Sequence, residues 1–397
     1  MFIPLTNTPR DYAWGSRTAI AELLGTEASG GPEAELWLGA HPGSPARILE
    51  PELTGGADTL AAWIDADPAA AGLREPRLPF LLKLLAADAP LSLQAHPSPA
   101  QALAGFEREN AAGIPLDAPN RNYKDAFHKP ELIVALSDTF DALCGFRTVA
   151  DAADDVDRLL DVPGLDAAAT NQLREFRARL TGPDADALRA LVEHLLTDDV
   201  TALVSAVTEA AASAPITPAV ATVNRLAEFY SGDPGIVVSL LLNSVTLRRG
   251  GVLYLPAGNI HAYLRGFGVE LMAASDNVLR GGLTPKHIDV PELLSVLDFH
   301  PLPIPYLEPE PAGAGAARFA PDIPDFELVH VTGLGGESSR LGLPGPAIAI
   351  ITEGEVTLAG TSARRVLTRG DVVYVTPDEG PLTVSGAGEL FLATTRL

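Results

Sequence analysis

The chain predicts a mainly β protein with an α-helical domain: one β-barrel that carries the chemistry, a helical insertion, and a second, C-terminal β-barrel. Three observations predict this. Its 36 glycines and 34 prolines punctuate most of the chain at the intervals of short strands joined by turns. From about Val149 to Ala227 they thin out, and alanine and leucine recur at helical spacing among acids, as in DADALRALVEHLLTDDVTALVSAVTEAAA. Beyond that stretch the run RGGVLYLP at 249–256 returns as RGDVVYVTP at 369–377, with Thr376 as one extra residue, so two related barrels are expected.

Composition bounds the answer further. The 397 residues are 47% hydrophobic, enough apolar material for more than one core, which excludes a disordered chain. A net charge of −23 repels phosphodiester backbones and anionic headgroups, so neither nucleic acid nor a membrane surface is an expected partner. Cys144 is the only cysteine, which excludes an internal disulfide and a thiolate zinc site and leaves any metal to nitrogen and oxygen ligands. The N-terminal MFIPLTNTPRDYAWG has no basic stretch followed by an apolar one, so a cytoplasmic location is expected. The apolar segments at 78–91 and 236–245 are broken by Lys83, Asp88 and Asn243 and fall short of a bilayer span.

In chain order, LSLQAH at 91–96, LIVALS at 132–137, VLYLP at 252–256 and GVELMAA at 268–274 read as strands flanking the helical insertion. The proline-rich FHPLPIPYLEPEPAGAGAA reads as a linker, because proline fixes the backbone and removes donors. AIAIITEGEVTLAG, RRVLTRG and DVVYVTP then read as strands of the C-terminal barrel. The expected division is 1–148 with 228–300 as the catalytic barrel, 149–227 as the helical domain and 301–397 as a barrel without metal ligands.

Four segments hold residues suited to chemistry. In LSLQAHP, alternation puts Ser92, Gln94 and His96 on one face, a pattern that a solvated sheet face also produces. Glu131 opens the strand after HKP, where a carboxylate either ligates inward or lies exposed at a strand end. From Gly250 the order is Gly, five residues, Pro256, one residue, Gly258, two residues, His261, which matches the second motif of cupin barrels, where the turn delivers a metal-binding histidine. Gln94, His96, Glu131 and His261 together offer two imidazoles, a carboxylate and an amide oxygen, a set suited to zinc with positions left open. In the repeat Leu382 takes the place of His261, so chemistry belongs to the first copy. Finally, Arg280 and Lys286 are cations suited to a phosphorylated substrate, unless they pair with Asp276 or Asp289.

With DYAWGS at 11–16, AELWLGAHP at 34–42, LSLQAHP, HKPE, LCGFR at 143–147, PAGNIHAY and SDNVLRGGLTPKHIDVPEL, the chain resembles the type I phosphomannose isomerases over nearly its whole length. The resemblance implies a zinc-dependent aldose–ketose isomerase interconverting mannose 6-phosphate and fructose 6-phosphate through an enediol, on a cupin-type (jelly-roll) catalytic barrel, with one Zn²⁺ per chain. It places the zinc ligands on Gln94, His96, Glu131 and His261 and the active-site arginine on Arg280. It lines the pocket with Trp14, Lys83, Ser92, Lys129, Tyr263, Glu270, Asp276 and Lys286. Lys129 and Glu270 are both candidates for the general base, and Ser92, Lys286 and Lys83 for gripping the phosphate. A sugar phosphate is the expected small-molecule partner, and a monomer the expected state, with a weak homo-oligomer as the alternative. The chain departs from the family pattern at Ala126, Phe127 and His287, none of which is a proposed ligand. A catalytically silent cupin that binds a sugar phosphate is the competing function.

Overall fold

The computed structural model describes residues 1–396 and contains two large antiparallel sheets with a helical layer on one side. The hub of the nine-stranded sheet is the strand His261–Ala273. Its first part pairs with Gln94–Ala95 and Thr139–Phe146, and its second part with Phe80–Ala87 and Glu131–Ala135. Between the two parts the ladder shifts register after Tyr263. Gly266 adopts φ +138° there, and a Cβ on it would lie 2.5 Å from the Phe140 ring, so only glycine lets the strand turn against that side chain.

Neither sheet closes on itself, which corrects the expectation of closed barrels. The catalytic sheet branches at the long strand His261–Ala273 and has edges at Leu279–Arg280 and Leu242–Arg248 in one half and at Glu35–Leu38 and Val252–Leu255 in the other, and these edges do not pair with one another. The result is a jelly-roll-like sheet curled around Leu85, Ile133, Phe140, Leu253, Leu255 and Tyr263. The segment 91–96 contributes a strand only at Gln94–Ala95, shorter than its alternation suggests.

The helical layer packs on the opposite side of the sheet. Thr148, Asp166 and Thr217 cap the helices Val149–Leu160, Ala167–Arg179 and Pro218–Phe229 by accepting from backbone N–H groups. The apolar stripe of Val149, Ala152, Val156 and Leu159 joins Leu143, Phe146, Ile260, Ala262 and Leu279 in one core. No single helix among the described residues is long and apolar enough to cross a membrane.

The ten-stranded C-terminal sheet departs from the expected boundaries at both ends. Phe2–Thr6 pairs with Val372–Val375, and Arg47–Ile48 pairs with Phe2–Thr6, so the chain's first strand lies in this sheet rather than in the catalytic one. The expected linker also contributes a hairpin of Glu310–Gly313 and Ala316–Phe319, made where proline gives way to a glycine turn. Leu36, Leu82, Leu84 and Leu271 meet Ile3, Ile348, Tyr374 and Phe391 in a core shared by the two sheets. A polar latch also crosses this interface: Glu389 accepts from Arg249 Nη2 (2.7 Å), Thr352 Oγ1 (2.6 Å) and His330 Nε2 (3.0 Å).

The internal repeat is visible in the strands. Val252–Leu255 and Val372–Val375 follow turns in which Gly250 and Gly370 take φ +80° and +92°. The next strands, His261–Ala273 and Leu382–Thr394, are 13 residues each and begin at the matched positions.

Candidate active site

Cross-strand register assembles the site. His261 faces Gln94, and Gln94 faces Arg280, so three separated segments place their polar groups side by side at the open edge. Glu131 begins its strand opposite Met272, and Glu270 sits opposite Lys83 and Ile133 on the same long strand. The Gly258 N–H donates to the His96 carbonyl at 2.9 Å, tying the turn that delivers His261 directly to the other imidazole.

His96, Glu131 and His261 are buried, with one ligand atom of each lying within 4.8 Å of the others. His96 Nε2 lies 3.4 Å from Glu131 Oε1, and His261 Nε2 lies 3.2 Å from Glu131 Oε2. The far nitrogens define the tautomers: His96 Nδ1 meets the Asn277 carbonyl at 2.7 Å and His261 Nδ1 the Asn259 carbonyl at 3.1 Å. A carbonyl only accepts, so each Nδ1 carries the proton and each Nε2 turns its lone pair to the cluster. Burial pushes His96 down to about 4, with the Lys129 charge acting in the same direction, and so keeps the ring neutral. Burial alone would raise Glu131, but the Lys129 charge holds it well below the usual carboxylate range.

These donors fit zinc. His96 Nε2 is buried without a hydrogen-bond partner, as is Tyr263 Oη nearby on the same strand as His261. Gln94 Nε2 lies 3.3 Å from His261 Nε2, so an amide flip, which exchanges nitrogen and oxygen, would turn the oxygen to the cluster as a further ligand.

Around the cluster the sequence-predicted residues separate into groups. Lys129 Nζ lies 2.8 Å from Glu131 Oε1. Lys83 Nζ lies 2.9 Å from Glu270 Oε2 and 3.7 Å from Glu35 Oε1, and both Lys83 and Glu270 are buried. Burial raises Glu270, the charges of Glu131 and Glu35 add to the rise, and Lys83 and Lys129 oppose it. Burial would lower Lys83, yet Glu270 and Glu35 hold it well above its ordinary value. Asp276 pairs with His41, and Asp289 caps the helix Val290–Val296 while accepting from Asn122. Neither pairs with Arg280 or Lys286, and among the described residues those two cations form no salt bridge. Burial lowers Arg280, and burial together with the charges of Arg280 and Lys124 lowers Lys286. Trp14 stacks on Tyr12 at 5.7 Å and packs against the apolar floor of the sheet. Among the described residues Ser92 forms no side-chain hydrogen bond to the metal cluster.

Sequence reasoning assigned no role to Glu35, Trp37, His41, Asn277 or Lys124. Glu35, Trp37 and His41 left a signal as members of the AELWLGAHP motif, and Asn277 as a member of SDNVLRGGLTPKHIDVPEL. Asn277 is fully buried and donates to the Asp125 and Phe127 carbonyls while accepting from Lys124 and Asp125 N–H, which fixes the loop that holds His96.

A family model described as phosphomannose isomerase type I, catalytic domain, matches residues 2–149. Mannose-6-phosphate isomerase of Escherichia coli (strain K12) is 38% identical over 394 residues, covering 97% of each chain. The Homo sapiens mannose-6-phosphate isomerase is 32% identical over 419 residues, covering 95% of this chain and 93% of its own. A zinc-bound crystal structure of mannose 6-phosphate isomerase aligns over 100% of both chains with a TM-score of 0.87 and 36% identity.

Proposed function

Because the chain belongs to the type I phosphomannose isomerases, we propose that it interconverts D-mannose 6-phosphate and D-fructose 6-phosphate as a zinc-dependent aldose–ketose isomerase. The observation that carries the reading is the buried His96–Glu131–His261 cluster with its orphaned imidazole nitrogen, set in a chain that matches the family from end to end. A silent sugar-phosphate binder has no need of the buried acid–base pair Lys83–Glu270 beside that cluster.

Gln94, His96, Glu131 and His261 would hold the metal. Bound there, zinc supplies a Lewis acid that polarises substrate oxygens and stabilises the charge of the enediol. The chain's own residues do the rest. Arg280 and Lys286, free of carboxylate partners among the described residues, bind the anionic end of the substrate and fix the distance from phosphate to reacting carbons. Asp276, at the pocket edge, accepts the proton of the anomeric hydroxyl and returns it to the ring oxygen. The bond from carbon 1 to the ring oxygen breaks and the aldehyde forms.

Glu270 is the general base in this reading. It removes the proton from carbon 2 to give the enediol and delivers it to carbon 1, while the hydroxyl proton on oxygen 2 moves to oxygen 1. Its desolvated carboxylate has the raised basicity that this needs. Lys83 lies between two carboxylates and so orients Glu270 rather than gripping phosphate. Lys129, against the ligand Glu131, is placed to donate to a substrate oxygen near the metal.

A coupled assay for fructose 6-phosphate formation from mannose 6-phosphate, run with and without chelator, tests the reading. Chelator-sensitive turnover with one zinc per chain is the expected result, and absence of turnover in the zinc-loaded protein refutes it. The pocket suits a small sugar phosphate, and a cytoplasmic location goes with this reading.

A further inference from the structure

The motif at 34–42 contains Glu35, Trp37 and His41, all buried, and none of them joins the metal cluster. They are linked in series. Trp37 Nε1–H donates to Glu35 Oε2 at 2.7 Å, and the Trp37 ring meets His41 edge-on with centroids 4.8 Å apart at 86°. The Gly43 N–H donates to His41 Nδ1 at 3.1 Å. That nitrogen is therefore an acceptor, the ring proton sits on Nε2, and Nε2 lies 3.3 Å from Asp276 Oδ2.

Asp276 needs such a partner. Its side chain is 47% exposed, and its backbone N–H is held by Asp125 Oδ2 at 2.9 Å. The main chain is thus anchored while the carboxylate, open to water, has one protein partner among the described residues, the His41 imidazole. With Oδ2 engaged by His41, Oδ1 is the oxygen left for a substrate hydroxyl.

We propose that His41 is a positioning residue of the isomerase reaction, clamped between Trp37 and Gly43 so that its Nε2–H fixes the Asp276 carboxylate against the substrate. This rests on the reading above in which Asp276 moves the ring-opening proton. His41 does not carry that proton: its Nδ1 is occupied by a backbone N–H, so the ring has no second site from which to relay it. The same segment sets both acid–base groups of the pocket, because Glu35, which orients Trp37, also pairs with Lys83 beside Glu270.

The test measures kcat, KM and zinc per chain for the zinc-loaded wild type, His41→Ala, His41→Gln, Asp276→Ala and the double variant His41→Ala/Asp276→Ala. His41→Ala is expected to lose about tenfold or more in kcat, the scale of one hydrogen bond to a charged group, with KM and zinc content little changed. His41→Gln, whose amide N–H reaches the same oxygen, is expected to recover most of that loss. The double variant is expected to be no slower than Asp276→Ala, since His41 acts only through Asp276. Losses that multiply in the double variant overturn the proposal, as does a His41→Gln variant no faster than His41→Ala. If His41→Ala fails to fold, His41→Phe keeps a ring against Trp37 without the donor and must show the same fall in kcat; full activity in it overturns the proposal. A wild type without turnover overturns the isomerase reading and this assignment with it, whereas an active wild type with a fully active His41→Ala overturns the assignment alone.

Discussion

Lys83→Met and Glu270→Gln are expected to cost unequal stability, because Lys83 serves two carboxylates whereas Glu270 has one ammonium. Lys83 Nζ stands 2.9 Å from Glu270 and 3.7 Å from Glu35. At an effective dielectric of about 20 the gross attractions are about 6 and about 4 kcal/mol. Desolvation cancels much of this, and breaking one buried pair typically costs about 3–5 kcal/mol. Glu270→Gln leaves Lys83 with Glu35, so its cost falls at or below the lower limit, about 2–3 kcal/mol. Lys83→Met leaves two buried carboxylates without their shared cation, so its cost lies at the upper limit, about 5 kcal/mol at neutral pH. The sign of its pH dependence follows. Without Lys83, Glu270 keeps a raised folded-state pKa, so its proton-linked stability is present below the unfolded value of about 4.3 and is lost as pH rises. The Lys83→Met penalty therefore shrinks on acidification. At about 1.2 °C per kcal/mol for a chain of this length, the two variants should differ in Tm by about 2–4 °C at pH 7. Scanning calorimetry with zinc content measured in parallel gives the comparison. A Glu270→Gln variant melting at or below Lys83→Met would refute the sharing of Lys83 by Glu35.

Four further outcomes are expected. His261→Ala should lose both zinc and turnover, and an unchanged zinc content by elemental analysis would remove His261 from the ligand set. Arg280→Ala should keep its zinc while kcat/KM falls about 100-fold or more, the scale of a lost charged contact in the transition state; steady-state kinetics that match wild type would exclude it from the pocket. Glu389→Gln should destabilise the junction of the two sheets by about 2 kcal/mol at pH 7, since it leaves Arg249 and His330 without their carboxylate. His330, Thr352 and Arg249 hold Glu389 below its ordinary value against the effect of burial, so this contribution is present above about pH 4.3 and lost as pH falls; urea melts of both proteins should converge on acidification. Leu382→His should gain no second zinc on elemental analysis, because Leu382 is fully buried in an apolar core and the second copy supplies no partner ligands.

Local chemistry explains what the sequence made legible. The Gly250–Pro256–Gly258–His261 spacing specifies a turn through backbone geometry, and Gly258 indeed takes φ +79° where a Cβ would press on Val296 and Asp298 backbone. The helical insertion is legible because a 3.6-residue stripe needs no distant partner to be seen. What stayed hidden depends on distant pairing. Phe2–Thr6 is apolar enough to join either sheet, and nothing in its own residues names Val372–Val375 as its partner. FLLKLLAA, buried along its whole length, gives no alternation to say which way Lys83 points. His41 and Asp276 are 235 positions apart, and their contact follows from folded register rather than from spacing. The linker reading failed for a local reason of another kind, since proline content outweighed the two glycines that make the 310–319 hairpin.

The pairing of Phe2–Thr6 with Val372–Val375 bears on how this protein is made. Phe2–Thr6 is synthesised long before the strand it pairs with. At about 5–20 residues per second the wait for residue 372 is roughly 20–70 s. During that time an apolar edge whose partner has not yet been synthesised is exposed to other nascent chains or to a chaperone. The reaction pocket is encoded by residue 286, but the sheet that backs it gains Val372–Val375 and Leu382–Thr394 only later. A ribosome-stalled chain ending after the pocket but before residue 372 therefore holds every proposed catalytic group without the mould that sets them.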